Sequence, residues 1–319
     1  MKIVFLDTNT LGFDLDFSRF SSFGEVRTYG HSTTEEILDR GKDAQILISN
    51  KVYYNEEIMK QLPNLKLICL TSTGTNTVDV NKAKELGIRV CNIVGYSTES
   101  VVQLTFSMIF YLLAPLAYYD RYVKEGEYVE DYQFKHFHHT WHELYGKTLG
   151  IVGFGRIGQR VAQIANAFGA KVIYYSTSGD NHHKEYEEVS FESLLEKSDL
   201  ISIHAPLNDS TKYLFRKEAF SRMKKSAILI NLGRGLIVHE EELIEALNQE
   251  QITAAALDVL EFEPMKKKHP IENLINKNKL FITPHIAWAS IEARNRMLDE
   301  VYQNIESYLS GGSRNQVEG

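Results

Sequence analysis

At 319 residues the chain is longer than a single hydrophobic core usually serves, and its 43% hydrophobic content is ordinary for a globular protein, so two domains are expected. A net charge of −7, with the lysines at 266–268 as the only basic cluster, argues against nucleic acid or an anionic membrane surface as partner. The start of the chain lacks the pattern of a signal peptide, and its two cysteines, Cys69 and Cys91, read as buried free thiols, which suits a cytoplasmic location.

Short β-branched runs at residues 2–6, 26–29, 46–49, 67–71 and 89–92 read as strands with helix-like stretches between them. Thr33 or Thr34 marks the start of one helix, Asn55 caps a second, and Pro63 stops it. Residues 101–117 are largely apolar, but they fall short of the ~20 a membrane span needs and are interrupted by Gln103, Thr105, Ser107 and Pro115, so a buried helix is expected. Residues 118–144 are rich in aromatics and histidine and should pack on something, a second subunit being the natural candidate. His136, His138, His139 and His142 have no cysteine or acidic residue at ligand spacing, and no metal is expected there.

A second alternating series follows, with strands at 148–152, 171–175, 200–204, 227–231, 254–257 and 280–283 and a last helix over 290–309. The small, polar tail from Gly311 to Gly319 is expected to be disordered. Two such series predict two doubly wound α/β domains, each a parallel sheet covered by helices on both faces.

Gly153-Phe154-Gly155-Arg156-Ile157-Gly158 follows the strand at 148–152 and opens an amphipathic helix, the setting a dinucleotide fingerprint requires. Gly153 allows the tight turn, Gly155 lets a pyrophosphate approach the backbone, and Gly158 lets the helix pack on the strand. The amides of Arg156 and Ile157 would meet phosphate at the positive end of the helix. The next strand ends at Ser176 where an NAD enzyme usually carries an acidic residue for the ribose hydroxyl. No carboxylate repels a 2′-phosphate and no arginine beside Ser176 attracts one, so NAD and NADP both stay open, NAD slightly favoured.

Three more motifs lie near strand ends: Asn231-Leu232-Gly233-Arg234-Gly235, the acidic run Asp258 to Glu263 before Pro264, and Thr283-Pro284-His285. Ligands of open α/β sheets sit at the carboxyl ends of strands. With the glycine fingerprint, these residues resemble the D-isomer-specific 2-hydroxyacid dehydrogenase family over nearly the whole chain. Thr73-Gly74-Thr75-Asn76, Tyr96-Ser97-Thr98-Glu99 and Pro284-His285-Ile286-Ala287-Trp288-Ala289 resemble its glycerate dehydrogenase, or hydroxypyruvate reductase, branch.

The resemblance implies that Arg234 binds the substrate carboxylate and polarises its C2 carbonyl, that His285 is the acid-base residue, and that Glu263 orients His285. It implies substrate contacts from the backbone of Thr73 and Gly74, a nicotinamide contact from Asp258, and a cofactor wall from Ala205, Pro206, Thr211, Leu232 and Gly233. It further implies a discontinuous substrate domain, residues 1–98 with 287–319, and a dinucleotide domain over 99–286. An active-site cleft between the two domains and hinges near Thr98 and Ile286 are implied as well. Residues 118–145 would form the arm of a homodimer, with Tyr128, Tyr132, Phe134, Phe137 and Trp141 at its interface. Trp288 reads equally as a core aromatic or a pocket wall. The expected reaction is reduction of hydroxypyruvate to D-glycerate, with glyoxylate a second substrate. The rivals are a reductase of other 2-keto acids such as pyruvate or branched-chain and aromatic analogues, and a nicotinamide-sensing protein like the family's corepressors. Glu263 argues against a formate dehydrogenase, which carries Gln there.

Overall fold

The computed structural model describes residues 1–129, 135–179 and 183–318. By packing, the chain divides into two units, Met1–Ser97 with Trp288–Gly319, and Thr98–Ala287.

The first unit is a parallel sheet of β1 (Lys2–Phe5), β2 (Glu25–Thr28), β3 (Ile46–Ser49), β4 (Leu67–Leu70) and β5 (Arg89–Cys91), in the order β2-β1-β3-β4-β5. Alternate residues supply opposite faces. Val4, Leu47, Ile68 and Val90 pack against α1 (Thr34–Gly41), α2 (Glu56–Lys60) and α3 (Val80–Glu85) through Ile37, Ile58, Met59 and Ala83. Ile3, Phe5, Ile48 and Cys69 pack against Met297, Val301 and Ile305 of the C-terminal helix (Ile291–Leu309). Burial on both faces is why β3 and β4, inside the sheet, are almost wholly apolar, whereas the edge strand β2 carries Glu25, Arg27 and Thr28 on exposed positions. Thr33 is the cap of α1, its hydroxyl accepting from the Glu36 amide while the Glu36 carboxylate accepts from the Thr33 amide. Trp288 packs against the core on the C-terminal-helix side.

The tail departs from its expected disorder. The amide of Val317 donates to Val90 O (2.9 Å), Asn315 O accepts from Asn92, and Gln316 bridges antiparallel to Cys91. Strand β5 is a sheet edge with unpaired backbone groups, and a polar segment can pair with such an edge as readily as an apolar one. Arg314 adds an ion pair to Glu300 (2.8 Å).

The second unit has a seven-stranded parallel sheet: β6 (Thr148–Val152), β7 (Lys171–Tyr175), β8 (Glu187–Glu188), β9 (Leu200–Ile203), β10 (Ile228–Asn231), β11 (Ala254–Leu257) and β12 (Leu280–Ile282). Its order is β12-β11-β10-β9-β6-β7-β8. Helices α4 (Thr98–Leu113) and α6 (Arg156–Ala167) cover one face through Val102, Phe106, Ile109, Val161 and Ala165. The other face meets α7 (Phe191–Lys197), α8 (Lys217–Arg222) and α9 (Glu240–Asn248) through Leu194, Phe220, Leu243 and Leu247.

The apolar stretch 101–117 is not one helix. It breaks after Leu113, and α5 (Leu116–Lys124) sets off at 63° to α4. Pro115 explains the break, since it lacks an amide hydrogen and its ring clashes with the preceding turn. Among the described residues no single helix is long and apolar enough to cross a membrane. Beyond α5, His136 is taken up by tyrosines, its Nε2 2.8 Å from the Tyr118 hydroxyl and its ring stacked on Tyr122 at 3.9 Å. Tyr128, Phe137 and Trp141 are exposed, whereas Tyr132 and Phe134 lie outside the described residues.

Candidate active site

The sheet of the second unit reverses its winding between β6 and β9, which makes the carboxyl ends of these two strands the expected ligand crevice. Gly153 turns the chain there at φ +88°, and a Cβ on it would lie 2.7 Å from both Cα and N of Ala205. Gly158 sits against the Gly153 carbonyl, so it too has no room for a side chain. Gly155 differs: nothing lies within 4 Å of where its Cβ would be. As the N-cap of α6 it makes no side-chain capping bond, so the amides of Arg156 and Ile157 open the helix facing a cradle that no side chain enters. A pyrophosphate fits that cradle on shape and on the sign of the helix dipole.

Phe154 stacks on Tyr174 at 3.9 Å, and the Tyr174 hydroxyl accepts from the His183 amide (2.9 Å). Ser176, just past β7, is buried and its hydroxyl accepts from the Gly179 amide (3.2 Å). Following β9, Ala205 is buried and Pro206 exposed. Thr211 is turned inward: its hydroxyl donates to Pro206 O (2.7 Å) and accepts from the Asn208 amide (2.8 Å). Thr211 thereby holds the Pro206 carbonyl in place. Buried Leu232 and Gly233 follow β10, with Gly233 packed so that a Cβ would meet Ala205 O at 2.9 Å.

Arg234, Glu263 and His285 follow three successive strands of the sheet, β10, β11 and β12, at their carboxyl ends. Adjacent strands lie about 4.8 Å apart, so the topology gathers these side chains at one edge. The Arg234 side chain is exposed, and one of its amino groups donates to Gly233 O (2.8 Å). Asn231 holds this turn, its amide nitrogen donating to Arg234 O (3.0 Å) and its oxygen accepting from the Gly233 amide (3.0 Å). His285 Nδ1 lies 2.6 Å from Glu263 Oε2, with the two side chains 32% and 33% exposed. An ionised carboxylate only accepts, so Nδ1 carries the hydrogen and Nε2 is offered outward. Glu263 Oε1 accepts from the Leu260 amide (3.0 Å), closing the turn that carries it.

His285 stands at φ +56°, which non-glycine residues seldom adopt. Buried Asp258 fixes it there. Its carbonyl accepts from the His285 amide (2.8 Å), and its carboxylate accepts from the Thr283 hydroxyl (2.5 Å) and from the Ile286 and Ala287 amides (each 2.9 Å). Burial pushes the Asp258 carboxyl above its usual range against the pull of these donors. Three donors already occupy the carboxylate, so Asp258 serves first to anchor the His285 segment. In the first unit, Thr73 and Gly74 lie in the loop after β4, where Thr73 O accepts from Asn92 Nδ2 (2.8 Å) and Gly74 O from the Ser72 hydroxyl (2.8 Å). A trans peptide points its amide opposite to its carbonyl, so the Gly74 N–H faces away from Asn92.

Asn231 and Gly235 flank Arg234 in the sequence motif, yet their parts emerge only in three dimensions. A Cβ on Gly235 would collide with the Leu260 carbonyl, so the Arg234 turn and the Glu263 turn are in backbone contact. Among the described residues no three His, Cys, Asp or Glu side chains are grouped as a metal ion requires.

Comparison with known proteins agrees with this architecture. The family described as "D-isomer specific 2-hydroxyacid dehydrogenase, NAD binding domain" matches residues 106–287. A hydroxypyruvate reductase of Blautia hydrogenotrophica is 36% identical over 325 aligned positions, covering 99% of each chain. A glycerate dehydrogenase of Methylorubrum extorquens is 36% identical over 318 positions, again with 99% of each chain covered. Among solved structures, an acyclic imino acid reductase in complex with NADPH and D-Arg matches at a TM-score of 0.85 and 31% identity over the whole of both chains. The chain belongs to the D-isomer specific 2-hydroxyacid dehydrogenase family, whose members are NAD-dependent oxidoreductases.

Proposed function

We propose that this protein reduces hydroxypyruvate to D-glycerate, with glyoxylate as a second substrate. The observation that carries the reading is the Glu263–His285 pair at 2.6 Å, on the strand ends next to that of Arg234.

The Arg234 guanidinium, permanently charged and forked, pairs with the substrate carboxylate and draws electron density from the C2 carbonyl. The Gly74 and Thr73 amides add donors for the same carboxylate. A reduced nicotinamide, when bound, supplies the hydride that reaches C2. His285 Nε2 gives its proton to the carbonyl oxygen in the same step, which turns the ketone into a secondary alcohol, and the ring regains a proton from solvent. Glu263 stays ionised, holds Nδ1–H in place and balances the imidazolium. We assign substrate recognition to residues 1–98 with 287–319, and dinucleotide binding to residues 99–286.

Ser176 places no negative charge at the ribose, which suits NADPH as well as NADH; we favour NADH, since no arginine stands beside Ser176. The exposed Tyr128, Phe137 and Trp141 support a homodimer built on the 118–145 arm. The buried free thiols of Cys69 and Cys91 suit a reducing cytoplasm.

The test is the loss of absorbance at 340 nm on mixing the purified protein with hydroxypyruvate and either NADH or NADPH. Rapid oxidation of one cofactor is expected, and its identity settles the preference. No turnover with either cofactor, extended to glyoxylate, pyruvate and branched-chain keto acids, overturns the reading.

A further inference from the structure

Beside the catalytic turn, and outside every motif that marks the site, lies a buried acid–imidazole pair. Glu240, the first residue of α9, and His269, in the segment after Pro264, are 5% and 9% exposed. His269 Nε2 lies 2.9 Å from Glu240 Oε2. The Ile271 amide donates to His269 Nδ1 (3.3 Å), which leaves Nε2 to carry the ring hydrogen; its contact with Glu240 is one of charge and proximity, off the line of a hydrogen bond. The other Glu240 oxygen accepts from the Glu261 amide (2.8 Å), while the Glu240 amide donates to the Glu261 carboxylate (2.7 Å). This is a two-way clasp between the start of α9 and the turn that carries Glu263.

We propose that Glu240, set by His269, is a positioning residue for the Glu263–His285 pair. The proposal rests on the reading above, in which Glu263 orients the acid-base histidine. Glu261 is two residues from Glu263, and the Leu260 amide closes the same turn on Glu263 Oε1 at 3.0 Å. On its other side the turn abuts Gly235, where a Cβ would strike the Leu260 carbonyl. The turn is therefore held between the Gly235 backbone and the Glu240 clasp. A short, charge-assisted contact such as the 2.6 Å one from Glu263 to His285 does not survive a displacement of about 1 Å, a misplacement that can cost up to ~10²-fold in rate. Burying a carboxylate is costly, and burial does push the Glu240 carboxyl up; such a group is a poor way to gain stability and a good way to fix one geometry.

The experiment is a double-mutant cycle on the full-length enzyme. Glu240→Ala and Glu240→Gln are each made in the natural background and with Glu263→Gln, and kcat, KM for the keto acid, dinucleotide Kd and melting temperature are measured. Glu240→Ala should lower kcat about tenfold, scaled down from the cost of a full misplacement, with Kd unchanged. Glu240→Gln, which keeps an oxygen for the Glu261 amide, should recover part of the loss. In the Glu263→Gln background, replacing Glu240 should cost little more, because the group it positions has already been altered. Equal losses in both backgrounds, or no loss in either, overturn the proposal. Should the alanine variant not fold, the same non-additivity is read from the glutamine variant. A fully active Glu263→Gln enzyme refutes the catalytic reading itself, a result distinct from any outcome at Glu240.

Discussion

The three glycines of the β6–α6 turn separate stability from ligand binding, because only two of them are sterically locked. Gly153→Ala forces a side chain into φ +88° and sets a methyl 2.7 Å from Ala205 Cα and N. The left-handed backbone costs about 1–2 kcal/mol and the overpacking about 1–3 kcal/mol. At roughly 2–4 °C per kcal/mol for a unit of this size, the melting temperature should fall by about 10 °C. Gly158→Ala meets the Gly153 carbonyl and Ile151 Cγ2 (3.2 Å) and should fall in the same range. Gly155→Ala is the informative contrast. At φ −75° and ψ −163°, with nothing within 4 Å, alanine is accommodated, and the loss of unfolded-state freedom should raise stability by about 0.4–1 kcal/mol. Its methyl nonetheless fills the space a pyrophosphate needs, so dinucleotide affinity should drop at least about tenfold, or ~1.4 kcal/mol. Thermal melts and NADH fluorescence titrations on the three variants decide the matter. A Gly155→Ala protein that binds NADH normally would refute the cradle, and a Gly153→Ala protein with an unchanged melt would refute the steric argument.

His285→Ala should lower kcat by roughly 10²-fold or more while leaving NADH affinity intact, and near-normal turnover removes the acid-base assignment. Arg234→Lys keeps the charge but loses the fork; kcat/KM should fall by about 10²-fold, and an unchanged value makes Arg234 structural. Asn231→Ala removes two hydrogen bonds to the Arg234 turn, costing about 1–3 kcal/mol in urea unfolding and lowering kcat/KM; intact kinetics show that the turn holds itself. Acid stability tests His204, which burial holds down to about 3. An unfolded histidine takes up its proton near 6.5, so the unfolded chain gains protons first and stability falls as pH drops from about 6.5 toward 3. The loss should be ~2 kcal/mol between pH 6.5 and 5, and His204→Gln should lose less over that interval; parallel curves for the two proteins remove His204 as the cause.

The inner strands were legible because a parallel sheet covered on both faces leaves continuous apolar runs such as 67–70 and 254–257. β8 was not, since Glu187 and Glu188 are exposed, polar residues whose strand character comes from main-chain pairing with β7 at a sheet edge. The break at Pro115 was visible as a residue but outweighed by the apolar run around it. The tail was misread because composition reports whether side chains can build a core, whereas Val317 and Asn315 are held by main-chain bonds to an open edge. At the site, glycine spacing and strand-end motifs pointed to the residues proposed to face a ligand. The residues that hold them do so through main-chain groups: Asp258 through amides beneath His285, Thr211 through the Pro206 carbonyl and Glu240 through the Glu261 amide. Which amide meets which carboxylate depends on contacts between segments, and no local pattern records it.

The first unit is written in two parts of the chain, and this has a consequence for its birth on the ribosome. Its sheet is complete by Cys91, but the face formed by Ile3, Phe5, Ile48 and Cys69 is covered by a helix that begins only at Ile291. At a synthesis rate of about 5–20 residues per second, that apolar face waits roughly 10–40 s for its cover while the whole of the second unit is translated. The order of synthesis thus lets the second unit fold first and leaves the first unit dependent on a helix translated after it, so truncations that spare every proposed site residue but remove the helix Ile291–Leu309 should still yield an insoluble product.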